Sequence, residues 1–600
     1  MALIVQKYGG TSVGSVERIQ AVAQRVQKTV QAGNSVAVVV SAMGKTTDTL
    51  VSLAKEIAAN PSRREMDMLL STGEQVSIAL MSMALQELGQ PAISLTGAQV
   101  GIVTEAEYSR ARILEIKTER LQRHLQQGKV VVVAGFQGIS NLEDLEITTL
   151  GRGGSDTSAV ALAAALSADI CEIYTDVPGI FTTDPRLVSA ARLMDEITCD
   201  EMLELASLGA KVLHPRAVEI AKNYGIPLAV RSSWSDAPGT LVLSPPPQER
   251  SLADLELARA VDAVEFSPNQ AKIALLRVPD RPGIAARLFG EIARQQVDVD
   301  LIIQSIHEGN SNDIAFTVEQ PVLTQAEAVA AAIAPALRHQ SHRTDEAEVL
   351  VEPEAAKISI TGAGMIGRPG IAAKMFQTLA AAGVNIEMIS TSEVKVSCVI
   401  PQSDGDRAIR TLCEAFAVDC SPVSLALRET GAPPVRGVAL DLNQAQIAIR
   451  QVPDKPGMAA QAFVALAEEG ISVDTIIQSQ RCRIVDGLAT RDIAFTVAQA
   501  DAAAAQSLLN SLAVPLGWGE VTVNTEVAKI SIVGAGMIGQ PGVAAQFFAA
   551  LAAEGINIQM IATSEIKISC VVEREMGVKA LKVVHQAFGL AGTEQVEVPA

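Results

Sequence analysis

The chain has 600 residues, 48% of them hydrophobic and 19% charged. That is longer than one hydrophobic core serves, and it is the composition of packed globular domains rather than of a disordered chain. A formal net charge of −19 sets it against nucleic acid and anionic membranes, whose phosphates would repel it.

It opens on MALIVQKYGG, with no basic segment ahead of an apolar one. No uninterrupted apolar run approaches the ~20 residues that span a bilayer. Seven scattered cysteines, odd in number and without C-x-x-C, read as reduced thiols. A soluble, cytoplasmic protein is expected. Over residues 1–247, buried-strand runs (LIVQK, SVAVVVSA, AISLT, KVVVVAG, CEIYTD, PLAVRSS) alternate with helical stretches such as SVERIQAVAQRVQKTVQAG. Alternating β and α predicts an α/β domain, a mainly parallel sheet covered by helices on both faces. Ligands of such sheets sit at the carboxyl ends of the strands.

The loops at those ends carry the chemistry. KYGGTS (7–12) follows the first strand, and its two glycines let backbone approach an anion beside the Lys7 cation. STGEQVS (71–77) begins a long apolar helix with Glu74 near its start, where a carboxylate complements the helix dipole. GRGGSDTS (151–158) precedes the helix AVALAAALSA, so glycines, hydroxyls and free helix N–H groups form a second anion cradle beside Arg152. Neither cradle fits G-x-x-x-x-G-K-[ST]. Two of them, each with a fixed cation, point to phosphate chemistry. YTDVPGIFTTDPR (174–186) and GAKVLHPRAVEIA (209–221), with Lys211 and Arg216, read as nucleotide contacts. His214, with no Cys/His/Asp cluster near it, is assigned neither a catalytic nor a metal role.

SPPPQE (244–249) breaks the pattern and marks a domain boundary. Beyond it the chain repeats. VPDRPGIAARLF (278–289) returns as VPDKPGMAAQAF (452–463), and GAGMIGRPGIAAKMF (362–376) as GAGMIGQPGVAAQFF (534–548). Pro-Gly pairs at 282–283, 369–370, 456–457 and 541–542 mark four units in the order A-B-A-B. Each reads strand, helix, strand, strand, helix, strand, a ferredoxin-like pattern, over 270–345, 355–430, 444–525 and 527–600. GAGMIG also matches the dinucleotide fingerprint G-x-G-x-x-G, with Glu387 about where a ribose-binding acid belongs. Units this short cannot build the larger sheet that a dinucleotide fold needs, and Gln559 replaces Glu387 in the second copy. The glycines are read as serving a tight loop, and NAD is not expected.

KYGGTSVGS, VVVSAMGKTTDTL, STGEQVS, GFQGI, TTLGRGGSDTSAVALAAAL, IYTDVPGIFTTDPR and ASLGAKVLHPRAVE together resemble the aspartate kinases of the amino acid kinase superfamily. The tail resembles ACT domains, the amino-acid-sensing modules of those kinases, with four units where two are usual. The resemblance implies phosphorylation of the L-aspartate side-chain carboxylate by ATP with Mg2+, opening lysine, threonine and methionine biosynthesis. It implies that Lys7, with the amides of Gly9 and Gly10 after Tyr8, neutralises the transferring phosphoryl group, and that Asp156 holds Lys7 or the metal-bound phosphates in place. Arg152 would grip an aspartate carboxylate and Glu74 its ammonium, with Thr47 and Ser155 completing the pocket. The nucleotide would lie against Thr175, Asp176, Phe181, Thr182, Thr183, Asp184, Pro185, Arg186, Lys211 and Val212. No protein ligand for magnesium is assigned.

In the tail, the resemblance puts effectors, lysine and threonine, at the Pro-Gly loop of each A-type unit against the neighbouring B-type unit. The residues implied are Asp280, Gly283, Ile284, Ala285, Asp298, Asp300 and Gln304 in the first pair, and Asp454, Gly457, Met458, Ala459, Asp474 and Gln478 in the second. Facing them in the B-type units would be Met365, Ile366, Asn385, Ile386 and Ser392, and Met537, Ile538, Asn557, Ile558 and Ser564. A homodimer through the ACT units is expected. The rival readings are a catalytically inert sensor and a kinase of another acid, such as glutamate, acetylglutamate or a nucleoside monophosphate.

Overall fold

The computed structural model describes all residues except 1, 141–144, 209–211, 248–249, 258, 307–310, 338–347, 366–367, 419, 423–432, 486 and 593–600. The chain forms two compact units. Met1–Phe181 and Arg192–Ala258 lie in the first, Thr182–Ala191 and Arg259–Thr593 in the second.

The first unit is built on an eight-stranded sheet. Six strands run parallel, in the order Leu228–Ser232, Ile170–Thr175, Leu3–Tyr8, Ser35–Val40, Val130–Ala134, Ala92–Leu95. Thr240–Leu243 adds antiparallel at one edge, followed by Glu196–Thr198. SVAVVV and VVVVA are almost wholly buried, as strands covered on both faces must be. Val36, Val38 and Val40 pack with the helices Val16–Gln31 and Arg63–Glu87. On the opposite face, Val39 and Ser155 crowd the same point beside Gly135, so the wholly buried helix Gly154–Leu166 covers that side. Arg63–Glu87 is long and apolar enough to cross a membrane by length and composition. Here it buries Ile78, Met81 and Leu85 in the core of this unit.

The second unit holds four ferredoxin-like units, but they do not close on themselves. The strand Ala263–Pro279 joins two of them within one eleven-stranded sheet. Its first part, residues 263–267, pairs with Thr361 through Lys357 of the second small unit, and its later part forms the centre of the first. In the same way Gly437–Asp441 pairs with Val533 through Lys529 of the fourth. Segments that read as linkers are thus strands of the B-type sheets, Gly437–Asp441 at an edge and 263–267 between 357–361 and Cys420–Pro422. They cover N–H and C=O groups that an edge would otherwise expose.

Each A-type unit faces a B-type unit, in an unforeseen combination. One core joins the first unit to the fourth, with Phe289 against Phe548 at 5.5 Å between ring centroids. Another joins the second to the third, with Phe376 against Phe463 at 5.6 Å. Ile302–Ile306 and Met560–Ser564 pair antiparallel, so the first and fourth units share a continuous sheet. The expected pairing, first with second and third with fourth, is corrected to first with fourth and second with third. A third apolar cluster, including Ala274, Met388, Ile477 and Met560, draws a residue from each of the four.

Candidate functional site

In the first unit, Lys7 and Tyr8 end the central strand in register with Val39 and Val40 on one side and Ile173 and Tyr174 on the other. The loops leaving these strands therefore meet at one edge. Lys7 Nζ lies 2.6 Å from Asp156 Oδ1, both side chains 12% exposed. Gly9 passes close to Lys7 and to the Tyr174 carbonyl, and its N–H donates to that carbonyl at 3.4 Å. A Cβ on Gly10 would meet the Ala42 carbonyl at 2.8 Å, so only glycine brings these two loops together. Tyr8 is fully buried, its ring stacked on Tyr174 at 4.7 Å, which leaves only its backbone to face a ligand.

Glu74 is 3% exposed and accepts from the Ala42 N–H at 3.0 Å through Oε1, while Oε2 is buried without a partner. Burial pushes its carboxyl up to about 7, against the smaller opposing pull of the Ala42 N–H. Asp156 and Ser155 occupy the first turn of the helix Gly154–Leu166, both buried, and Arg152 is exposed just ahead of them. Gly153 has φ of 67°, and a Cβ there would strike the His214 ring at 2.3 Å. His214 thus packs over the second cradle, its pKa lowered first by burial and then by Arg216. Thr47 is half-buried in the first turn of the helix Thr46–Ile57.

The candidate nucleotide contacts divide. Thr175 and the exposed Asp176 end the strand Ile170–Thr175, and Phe181, 8% exposed, bridges to Leu193. Thr182, Thr183, Asp184, Pro185 and Arg186 belong to the second compact unit. There Thr182 Oγ1 lies 2.9 Å from His585 Nε2 and donates to the Leu590 carbonyl at 3.1 Å, and Asp184 pairs with Arg186 at 2.7 Å. Val212 is half-buried in the turn before the helix Pro215–Tyr224, and Lys211 lies outside the described residues. Arg216 is no nucleotide contact. Its guanidinium bonds Glu256 twice at 2.8 Å, and the carbonyls of Leu150 and Ala111.

The regulatory candidates gather in three cavities. One, of about 330 Å³, is lined by Asp280, Gly283, Ile284, Ala285 and Gln304 with Asn557 and Ile558 of the fourth unit. A second, of about 430 Å³, is lined by Asp454, Gly457, Met458, Ala459 and Gln478 with Asn385 and Ile386 of the second unit. Gly283 and Gly457 cap their helices with φ of 91° and 96°, which places the first-turn N–H groups at each cavity. A third cavity, of about 760 Å³, lies at the B-type loop of the second unit and takes Met365, Ser392 and Asp474.

Asp300 and Asp474 depart from expectation. Their carboxylates pair with Lys357 and Lys529 of the following unit rather than lining an A-type loop. Asp298 is exposed and is not among the residues lining the first cavity. Met537 is buried in the first–fourth core, Ser564 ends the strand Met560–Ser564, and Ile538 follows the 3-10 turn Ala535–Met537. Ile366 lies outside the described residues. Sequence reasoning missed Asn312 and Arg491, which occupy matching places in the two A-type cavities. The signal was present: SNDIAFTV and TRDIAFTV differ there.

Residues 2–232 match the model of the amino acid kinase family, and 272–335, 358–416, 447–514 and 530–588 match models of the ACT domain. The chain is 51% identical over 423 residues to an aspartokinase of Bacillus sp. (strain MGA3), covering 70% of this chain and 99% of that one. Aspartokinase 2 of Bacillus subtilis (strain 168) is 51% identical over 422 residues, again 70% and 99%. A solved structure of aspartate kinase from Synechocystis superposes with a TM-score of 0.87 at 70% identity over the full length of both chains. Glycine loops at the strand ends, a buried carboxylate beside them and four ACT domains fit these relatives, and the chain belongs to the aspartate kinases, enzymes that phosphorylate aspartate.

Proposed function

We propose that this aspartate kinase converts L-aspartate to 4-phospho-L-aspartate with MgATP as the entry to lysine, threonine and methionine biosynthesis, and that lysine and threonine held at the A-type ACT cavities restrain it. The observation that carries the catalytic half is the Lys7–Asp156 pair at 2.6 Å, set between a glycine loop and a helix N-terminus. A carboxylate is already nucleophilic, so the protein has only to position it and to neutralise charge on the transferring group. Lys7 does the latter, fixed by Asp156, with the Gly9 and Gly10 backbone beside it. Arg152, exposed at the second cradle, takes an aspartate carboxylate by a bidentate fork that lysine cannot form. The free Oε2 of Glu74 receives the ammonium, with Thr47 and Ser155 around it.

While Thr182 through Arg186 are taken up in the second unit, Thr175, Asp176, Phe181, Lys211 and Val212 hold the nucleotide. Its fit is supported by Gly10, whose missing side chain keeps the phosphate loop closed on Ala42. Among the described residues no cluster of three or more His, Cys, Asp or Glu could hold a metal. In this reading magnesium is carried in on the nucleotide phosphates. Met365, Ile366, Ser392, Met537, Ile538 and Ser564 shape the B-type side of the regulatory units, and homodimerisation through these units belongs to the same reading. Cys171, Cys199, Cys398 and Cys570 are buried thiols, which supports a cytoplasmic location.

The test is ATP turnover with L-aspartate, trapped as the hydroxamate by hydroxylamine, with lysine and threonine added singly and together. Aspartate-dependent turnover suppressed by these amino acids is expected. Turnover indifferent to both would remove the regulatory half.

A further inference from the structure

The two A-type cavities are built from the same repeat, so their differences bear on selectivity. In the cavity of the first and fourth units, the Asp280 carboxylate accepts from two neutral amides, Asn312 Nδ2 at 3.0 Å and Asn557 Nδ2 at 2.8 Å. Among the described residues no cation lies within ion-pairing distance of it. In the cavity of the second and third units, Asp454 occupies the matching place, but Arg491 replaces Asn312. Its Nε bonds Asp454 Oδ2 at 2.7 Å, with side chains 16% and 12% exposed. The loops add one exposed cation each, Arg281 and Lys455, and so do not distinguish the pair. The first–fourth cavity is thus one unit of charge more negative, at a partly buried carboxylate where the charge is weakly screened.

We infer that the two cavities divide the regulatory amino acids by side-chain charge: the first–fourth cavity takes an amino acid with a cationic side chain, and the second–third cavity a neutral one. Both offer helix N–H groups to the ligand carboxylate. Only Asp280 keeps a net charge to spend on a second ammonium, while Arg491 would repel one. This rests on the reading of these cavities as effector sites.

The experiment is calorimetric titration of the full-length chain with L-lysine, L-norleucine (the neutral analogue of its side chain) and L-threonine, in wild type, Asn312→Arg and Arg491→Asn. Each exchange gives one cavity the residue the other already carries. Wild type is expected to bind one tight lysine per chain and to prefer it over norleucine. N312R should weaken lysine at least ~10-fold, the scale of one repelled charge near the surface, and change threonine binding less than ~3-fold. R491N should gain a second lysine per chain. Lysine binding lost in R491N and intact in N312R would reverse the assignment, and unchanged lysine binding in both would overturn it. Amide hydrogen exchange separates the parent reading. Ligand protection absent from the loops at Gly283 and Gly457 would sink the cavities as effector sites. Protection that ignores both exchanges would sink the charge rule alone.

Discussion

Burial pushes the Glu74 carboxyl up to about 7, while its proposed task, holding an ammonium, needs it ionised. The folded pKa is raised above that of the unfolded chain. Its contribution to stability is therefore fully present below about pH 4.5 and is lost as pH rises toward 7. Glu74→Gln should remove that slope and gain up to roughly 3 kcal/mol over wild type above pH 7, seen by denaturant unfolding across the range. Catalysis runs the other way. In wild type, kcat/KM for aspartate should rise through an apparent pKa near 7, and E74Q should lose both the limb and most of the aspartate affinity. A limb that survives in E74Q would assign it to another group. Spacing put Glu74 near a helix start, but the helix begins at Arg63 and carries Glu74 at its middle, and nothing in the letters around it told that its second oxygen would be buried and free.

GAGMIG teaches the converse. A Cβ on Gly362 would meet the Ala260 carbonyl at 2.4 Å and Val261 Cα at 2.9 Å, and one on Gly534 would meet the Pro434 carbonyl at 2.3 Å. These glycines admit the incoming backbone of the borrowed strands, so a motif that resembles a phosphate turn is a packing requirement. Gly362→Ala should cost ~2–4 kcal/mol by forcing that backbone away, a loss visible as a lower melting temperature of the regulatory unit. An unchanged melting temperature would refute the packing account.

At the scale of elements, the strands and helices were largely legible because buried parallel strands read as continuous apolar runs and the Pro-Gly loops punctuate each repeat. What was not legible is where the short connecting segments go. GVALD at 437–441 is five residues with no period of its own, and only the open edge beside Val527–Val533 makes it a strand. The segment Thr182–Ala191 behaves alike. It reads as the continuation of a kinase loop, yet Val188 lies in the first–fourth core, and the Val438 N–H donates to the Thr182 carbonyl at 2.8 Å. Thr182→Val keeps the shape and removes the hydroxyl that meets His585 and Leu590. With those buried groups left short of a partner, the change should cost ~1–3 kcal/mol. Chemical denaturation followed by a probe in the fourth unit checks this, and equal midpoints for the two proteins would mean that water replaces the hydroxyl.

For the whole molecule, the repeat announced four units but could not say which would touch, since either B-type unit satisfies either A-type loop by sequence. The structure settles it by sharing strands between the first and second units and cores between the first and fourth, and the second and third. Asp300 and Asp474 follow from this: a lysine of the adjoining unit reaches each, which no spacing within a unit reveals. The Bacillus relatives match 70% of this chain over nearly all of their own length, which leaves one tandem pair's worth of residues unmatched. A chain cut after residue 432 retains the strand at 263–267 and both its neighbours but uncovers the faces of Phe289 and Phe376. About five large apolar side chains exposed there correspond to on the order of 10 kcal/mol of lost burial, too much to leave in water. The truncated chain offers one A-type and one B-type face, so two copies related by a two-fold axis cover both. Light scattering after size exclusion should therefore find the truncated chain at twice its own monomer mass. Phe289→Glu with Phe376→Glu should return it to monomer by burying unpaired charge in the new contact. A truncated chain that stays monomeric and folded at micromolar concentration would show instead that these faces can stand alone, and that the second tandem pair is not needed to cover them.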